Sequence, residues 1–369
     1  MILENSKFKY SKARDTILDA ILSGNLAQDS ILPSEQKLCA QLGVSRITLR
    51  AALRDLENMG IIIKQHGRQS RINRAALRKQ RVPLRRIAWV DTSRFGRTNP
   101  IYFDIFRSLS EAAALRGVKI DYITLTVSDL AESFFERQKE YDGLVLGEFT
   151  PAYRHYLERI THPNCVSVDY AHPGIAHCVK TDCYFGGRLA ARTLLDSGCS
   201  RPVCILYAES AAPYSPYRER LRGFSDSLAE AGIDLPPERI FEVKCAADED
   251  NFPGFLKRRI SILKKTDSIF AFCDKQAIDT FYALRKLGFD VPGQISLVGF
   301  DGLVLSRFLS PPLATIRQPV EEIGRKALEI VLNPAESSSY PPVIQIPPAL
   351  QPGGTIPGKS EMKLRKKAL

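Results

Sequence analysis

The sequence predicts an α/β protein in two parts: a small N-terminal winged helix-turn-helix, then a much larger domain built on parallel sheets. Three observations carry that prediction. Residues 32–56 place two short amphipathic helices around a glycine turn, and residues 61–72 offer a hairpin directly after them. From Ile87 onward, short apolar runs alternate with helical stretches, the pattern of parallel strands joined by helical crossovers. At 369 residues the chain is long for one core, so more than one folded unit is expected.

The N-terminal elements follow from spacing. A first helix is expected over 9–24, burying Ile17, Leu18, Ile21 and Leu22 and ending at Gly24. Pro33 and Ser34 open the next helix, with Ser34 as its N-cap. Gly43 makes the turn, and Ser45 caps the third helix. There Leu49, Ala52, Leu53 and Leu56 fall at i, i+3, i+4 and i+7 and must face a core. Arg46, Arg50 and Arg54 are four apart and share the opposite side. Residues 61–65 and 71–72 then read as a small hairpin, a wing, with Gly67 in its turn.

A row of arginines is ordinarily a solvated face. On the second helix of a helix-turn-helix it points instead to DNA, with that helix in the major groove and the wing tip near the minor groove or backbone. The charge distribution agrees. Residues 1–86 hold 17 basic and 7 acidic side chains, a net +10 of the +11 carried by the whole chain. Basicity so localised is an electrostatic footprint for phosphate. A polybasic membrane-binding segment is the alternative, and a folded motif in its midst argues against it. Residues 74–85 read as a basic linker that also grazes phosphate.

Composition narrows the remaining classes. Hydrophobic content of 44% and charged content of 25% are those of an ordinary soluble protein. No apolar run approaches a membrane span, and residues 1–24 are too polar for a signal peptide, so a cytoplasmic location without a membrane partner is expected. The eight cysteines (39, 165, 178, 183, 199, 204, 245 and 273) are scattered without a Cys-x-x-Cys pair and read as reduced thiols. Residues 353–360 match the phosphate-loop pattern Gly-x4-Gly-Lys-Ser. A proline-rich stretch precedes them and only nine residues follow, which leaves no room for the strand and helix that motif joins. With no other catalytic or metal motif in sight, no cofactor, no metal and no enzymatic activity are expected.

In the large domain, strands are expected at 87–91, 119–124, 143–146, 165–169, 203–206, 268–273 and 295–300. Helices are expected at 101–116, 184–197, 217–231, 275–287 and 319–332. Open parallel sheets hold ligands at the carboxyl ends of their strands. That rule selects Asp91, Phe149, Asp169, Tyr170, Cys273, Asp274 and Asp301. Carboxylates accept hydrogen bonds from sugar hydroxyls, and an arginine with an aromatic ring completes such a pocket. Any one of these aspartates could equally cap the helix or turn that follows it.

Two resemblances sharpen the reading. Residues 9–73 resemble the winged-helix domain of the GntR family of transcription regulators, through Leu32-Pro33-Ser34-Glu35, Leu38, Leu42-Gly43-Val44-Ser45-Arg46, Thr48-Leu49-Arg50, Ala52-Leu53, Leu56 and Gly60. The resemblance implies DNA contacts from Gln36, Arg46, Thr48, Arg50 and the wing pair His66-Gly67, and Ser34, Ser45 and Arg68 complete the candidate surface. The family's wing reads Gly-x-Gly-Thr, where this chain has Gly67-Arg68-Gln69-Ser70.

Residues 86–350 resemble the effector domain of the LacI family, which has the type I periplasmic-binding-protein fold. The matching segments are 141–147, Thr181-Asp182 with Gly186-Gly187, 220–224, Gly288 with Val291-Pro292, 295–301 and 311–319. The resemblance implies effector binding by Asp169, Arg220 and Asp301. The family's Asn-Asp pair is here Cys273-Asp274, a change that removes a bidentate amide and argues against a common hexose. The full candidate effector set is Asp91, Tyr102, Phe149, Asp169, Arg220, Cys273, Asp274 and Asp301. Two lobes are expected, one from 86–180 with a return segment near 306–335 and one from the residues between, followed by a basic tail over 351–369.

The chain is therefore expected to be a homodimeric repressor on a palindromic double-stranded DNA operator, released by a small-molecule effector, a sugar. A solute-binding protein without a DNA role and a DNA-tethered enzyme are the alternatives.

Overall fold

The computed structural model describes residues 13–14, 16–18, 20–21, 31–64, 70–73, 85–92, 100–149, 151–208, 215–244, 251–334 and 339–357. Contacts divide the chain into two compact units, residues 1–87 with 111–121, and residues 88–110 with 122–369.

In the first unit the described residues of 13–21 are helical, followed by α1 (Glu35–Leu42) and α2 (Arg46–Asn58). The local signals explain these boundaries. Ser34 accepts a bond from the Lys37 amide at 3.3 Å, and Ser45 accepts one from the Thr48 amide at 3.2 Å, so each serine satisfies an amide at the first turn of its helix. Gly43 ends α1 at φ 63°, a left-handed conformation that a side chain would strain. Leu38 from α1 and Leu49, Leu53 and Leu56 from α2 meet Ile17, Ile21 and Leu32 in one core. Two short antiparallel strands, β1 (Ile62–Ile63) and β2 (Arg71–Ile72), form the base of the wing, with Ile62 opposite Ile72. The wing tip expected around Gly67, together with Leu22 and Gly24, lies outside the described residues.

The large domain carries two six-stranded sheets. The first holds β3 (Arg86–Asp91), β4 (Lys119–Thr124), β5 (Gly143–Leu146), β6 (Cys165–Val168), β7 (His177–Thr181) and β13 (Val343–Ile346), in the order β13-β7-β6-β5-β3-β4. The second holds β8 (Pro202–Tyr207), β9 (Ile240–Val243), β10 (Ser268–Ala271), β11 (Ser296–Asp301), β12 (Ala314–Arg317) and β14 (Ala349–Gln351), in the order β14-β12-β11-β10-β8-β9. The second sheet is parallel throughout except at its edge, where β14 runs against β12. Central strands such as β5, β6, β10 and β11 are buried at every position, as parallel strands covered on both faces must be.

The flanking helices are α3 (Pro100–Ala114), α4 (Ser128–Arg137), α5 (Cys183–Asp196), α6 (Pro216–Glu230), α7 (Phe252–Lys257), α8 (Ile260–Leu263), α9 (Asp274–Lys286) and α10 (Val320–Leu332). Helix α10 packs on β5, β6 and β7, and α5 packs on α6 and on the second sheet.

Two boundaries differ from expectation. The return to the first lobe begins after Arg317, not near 306, because β12 pairs in parallel with β11 and keeps residues 304–317 in the second lobe. The return consists of α10 and β13. The supposed tail from 351 is also partly domain. Ala349–Gln351 closes the second sheet, and Thr355 is fully buried, donating to Leu297 O at 2.7 Å and accepting from the Ala314 amide at 2.9 Å. Among the described residues, no helix is long and apolar enough to cross a membrane.

Candidate functional site

On α2 the phase of the core stripe decides what faces outward. Leu49, Ala52, Leu53 and Leu56 are buried, which leaves Arg46, Ile47, Arg50 and Arg54 exposed. Ser45 and Thr48 are joined at 2.9 Å between hydroxyls, and Ser45 also caps the helix, so this pair has a local structural duty besides any DNA contact. Ser34 has the same duty on α1, with Gln36 exposed two residues on. Arg50 Nε donates to Glu35 Oε2 at 2.9 Å, an ion pair linking the two helices. Sequence reasoning did not single out Glu35 for this; the partners are 15 residues apart, beyond the reach of helical spacing. The wing candidates His66, Gly67 and Arg68 lie outside the described residues.

In the large domain, loops at strand ends bring much of the effector set together. Asp169 directly follows β6, is 8% exposed, and holds a left-handed φ of 68°. Tyr102, on α3, donates its phenol proton to Asp169 Oδ2 at 2.8 Å. Burial pushes the Asp169 carboxyl above its ordinary pKa, opposed by the Tyr102 bond and the Arg220 charge. Asp301 ends β11 at φ 125° and accepts from Gln318 Nε2 at 2.8 Å. Burial raises its pKa too, again against Arg220. Two non-glycine residues in unfavourable backbone conformations, both with buried carboxylates, mark a place where local strain is held by the surrounding fold.

Arg220 comes from α6. Its guanidinium carbon lies 3.6 Å from the centroid of the Phe300 ring and 4.9 Å from that of Tyr217, and it donates to Phe272 O. Its Nε is buried without a hydrogen-bond partner. The position of α6 depends on two glycines. A Cβ on Gly187 would stand 2.1 Å from Arg220 O, and one on Gly223 would stand 2.0 Å from Tyr184 O, so α5 and α6 touch backbone to backbone.

The other candidates divide. Phe149 is buried and packs edge-on to His172 at 5.9 Å, while His172 stacks on Tyr170 at 6.3 Å. Asp91, 3% exposed, accepts from Trp89 Nε1 at 3.2 Å and from Tyr122. Cys273 occupies the N-cap position of α9 without a side-chain capping bond, and burial pushes its thiol up to about 12, so it is protonated at neutral pH. Asp274 departs from the expected role. It is fully buried, and its oxygens accept from Thr315 Oγ1 at 2.6 Å, the Gly302 amide at 3.0 Å and the Leu303 amide at 2.7 Å. Those bonds hold the loop after Asp301, and they commit the carboxylate to the protein rather than to a ligand.

Three further residues were not in the sequence-derived set. Lys180 on β7 pairs with Glu219 on α6, joining the two lobes. Gln318 accepts from Thr181 at 2.6 Å while donating to Asp301, which ties two of the crossings between lobes to the cleft. His172 has a buried Nε2 without a partner, and burial pushes its pKa down to about 4. Gln318 lies in the segment 311–319 and was within reach of the sequence; the other two were not. The whole arrangement offers two carboxylates, a guanidinium and aromatic faces from both lobes, chemistry suited to hydroxyl-rich ligands. No group of three or more His, Cys, Asp or Glu among the described residues could hold a metal ion.

Comparison with known proteins agrees with both halves. Residues 9–72 match the bacterial regulatory proteins of the gntR family, and residues 191–356 match the periplasmic binding protein-like domain. The ribose operon repressor of Escherichia coli K12 is 28% identical over 247 residues, covering 64% of this chain and 72% of that protein. The HTH-type transcriptional repressor PurR of Vibrio vulnificus is 34% identical over 149 residues, 40% of this chain and 43% of PurR. Among solved structures, a transcriptional regulator CelR–cellobiose complex superposes with a TM-score of 0.62 at 19% identity, covering 88% of this chain and 99% of that one. A LacI family transcriptional regulator from Enterococcus faecium with bound ribose gives 0.59 at 18% identity, covering 73% and 98%. This chain thus joins a segment that matches the gntR-family regulatory domain to a larger one that matches the periplasmic binding protein-like domain and shares its fold with solved transcription regulators.

Proposed function

We propose that this chain is a sequence-specific transcriptional repressor whose hold on DNA is governed by a small sugar bound between two lobes. The observation that carries the reading is the convergence of Asp169, Arg220 and Asp301, from both lobes, in a chain that begins with a helix-turn-helix. Arg46, Thr48 and Arg50, with Gln36 and the wing, are the DNA-contacting residues in this reading. Tyr102, Asp169, Arg220 and Asp301 hold the effector, with Phe149, Cys273 and Asp91 around them. The names of relatives support a repressor, and the sugars bound in two structures of the same fold support a sugar.

A homodimer on a palindromic operator fits, because two helix-turn-helix heads related by a two-fold axis read two half-sites. Val304, Leu305 and Phe308, exposed at 62%, 64% and 77%, give the second lobe an apolar patch suited to such pairing. The reading places the protein in the cytoplasm, where its DNA is.

Selection of genomic fragments on the purified full-length protein tests the reading. Enrichment of one palindrome, released by D-ribose, cellobiose or another sugar, supports it. Uniform retention that disappears with salt would overturn it, and conversion of the bound sugar to a product would favour an enzyme.

A further inference from the structure

Ile47 is the most exposed large apolar side chain among the described residues, at 84%. A single exposed isoleucine is ordinary on a protein surface. This one is distinguished by its place. At 3.6 residues per turn it stands opposite the centre of the stripe formed by Leu49, Ala52, Leu53 and Leu56. It is the second residue of α2, flanked by Arg46 and one turn before Arg50, both exposed. It adds nothing to the core of its unit, and a β-branched residue gains nothing from helix propensity. The positive charge around it disfavours an apolar protein partner and favours nucleic acid.

On the floor of the major groove, base edges present hydrogen-bond donors and acceptors with one exception, the C5 methyl of thymine. An aliphatic side chain set between two arginines can read that methyl and little else. We infer that Ile47 contacts a thymine methyl in each half-site and fixes the operator sequence at that position, beside the bases or phosphates met by Arg46 and Arg50. The inference rests on the DNA-reading role proposed for α2.

The test separates the two claims. Random-sequence duplexes are first selected on the full-length protein; if no sequence is enriched, the DNA-reading role itself fails. In an enriched site, each thymine is then replaced singly by deoxyuridine, which keeps the hydrogen-bonding edge and removes only the methyl. One position per half-site is expected to weaken wild-type binding about fourfold, the worth of burying one methyl-sized group. Ile47→Ala should lose about as much on the thymine site and be indifferent to uracil at that position, with its thermal melting unchanged because the side chain is exposed. If no uracil substitution weakens the wild type, or if Ile47→Ala retains the full penalty, the inference is overturned.

Discussion

Lys180 Nζ lies 2.8 and 2.9 Å from the two carboxylate oxygens of Glu219, a bidentate ion pair between β7 of the first lobe and α6 of the second. Glu219 is one residue before Arg220, and Lys180 is one residue before the crossing that Thr181 and Gln318 bridge. Burial works against the Lys180 charge, but the bond to Glu219 outweighs it and raises the pKa. Lys180 therefore stays charged at neutral pH, and the pair draws the lobes together beside the cleft. Removing one partner leaves the other charge partly buried. Lys180→Met should destabilise by about 3 kcal/mol, and the double variant Lys180→Met/Glu219→Leu should recover most of that loss. Urea unfolding of the four proteins in a double-mutant cycle measures the coupling; strict additivity would mean the pair does no such work.

The two halves of the chain should fail independently. Arg220 has a buried Nε without a hydrogen-bond partner and a charge felt by both Asp169 and Asp301, so Arg220→Ala should weaken effector binding at least about tenfold. Specific DNA binding without effector should persist. Arg50 is 61% exposed, and its bond to Glu35 in water is weak enough for DNA to displace. Arg50→Ala should reduce specific DNA affinity by about five- to a hundredfold and leave sugar affinity intact. Calorimetry for the sugar and fluorescence anisotropy for the operator make the comparison, and a shared loss in both variants would refute the division of labour.

How much of this was legible in the sequence depends on the range over which each signal acts. Ser34, Gly43 and Ser45 act on residues within one turn, and their helices begin and end where those residues require. Apolar runs marked seven strands of the two sheets. They missed β7, whose sequence His-Cys-Val-Lys-Thr is broken by a lysine that is buried only because Glu219, 39 residues away, receives it. The strands β9, β13 and β14 are partly exposed and carry no continuous apolar run of the kind that marked β5, β6 and β10, and β12 reads only Ala-Thr-Ile-Arg. Asp274 shows the same limit at the site. A capping aspartate and a ligand-binding aspartate look alike in sequence, and the groups that claim Asp274 come from residues 302, 303 and 315.

The crossing of α5 and α6 makes Arg220 sensitive to residues that never touch a ligand. Gly187→Ala would bring a Cβ to 2.1 Å from Arg220 O, and that oxygen is backbone and cannot swing aside. The helices must separate, at about 1–3 kcal/mol of stability, and Arg220 moves with α6. We expect Gly187→Ala to lower effector affinity while the free protein still binds operator. Gly232→Ala, at the end of the same α6 and with open space around its Cβ, serves as the control: it carries only the strain of its φ of 74° and should leave effector affinity unchanged.

The cleft should also make the free protein gain a stabilising contribution as the solution is acidified. Burial raises the pKa of Asp169 and of Asp301 above 3.8, so the folded state binds protons there more readily than the unfolded chain does. Stability from these two groups therefore rises as pH falls from neutrality toward about 4, the reverse of the usual carboxylate trend. His172 opposes it. Its pKa is lowered to about 4, so the unfolded chain takes up that proton first and stability is lost as pH drops below about 6.5. The difference between wild type and Asp301→Asn isolates one contribution. Asp301→Asn should be more stable than wild type at pH 7, and the advantage should shrink toward pH 4, as thermal melting across that range would show. Effector affinity should fall over the same interval in the wild type, because a protonated carboxyl loses part of its capacity to accept hydroxyl bonds. An advantage for Asp301→Asn that stays constant with pH would mean that the Asp301 carboxyl titrates alike in the folded and the unfolded protein, and would overturn the expected shift.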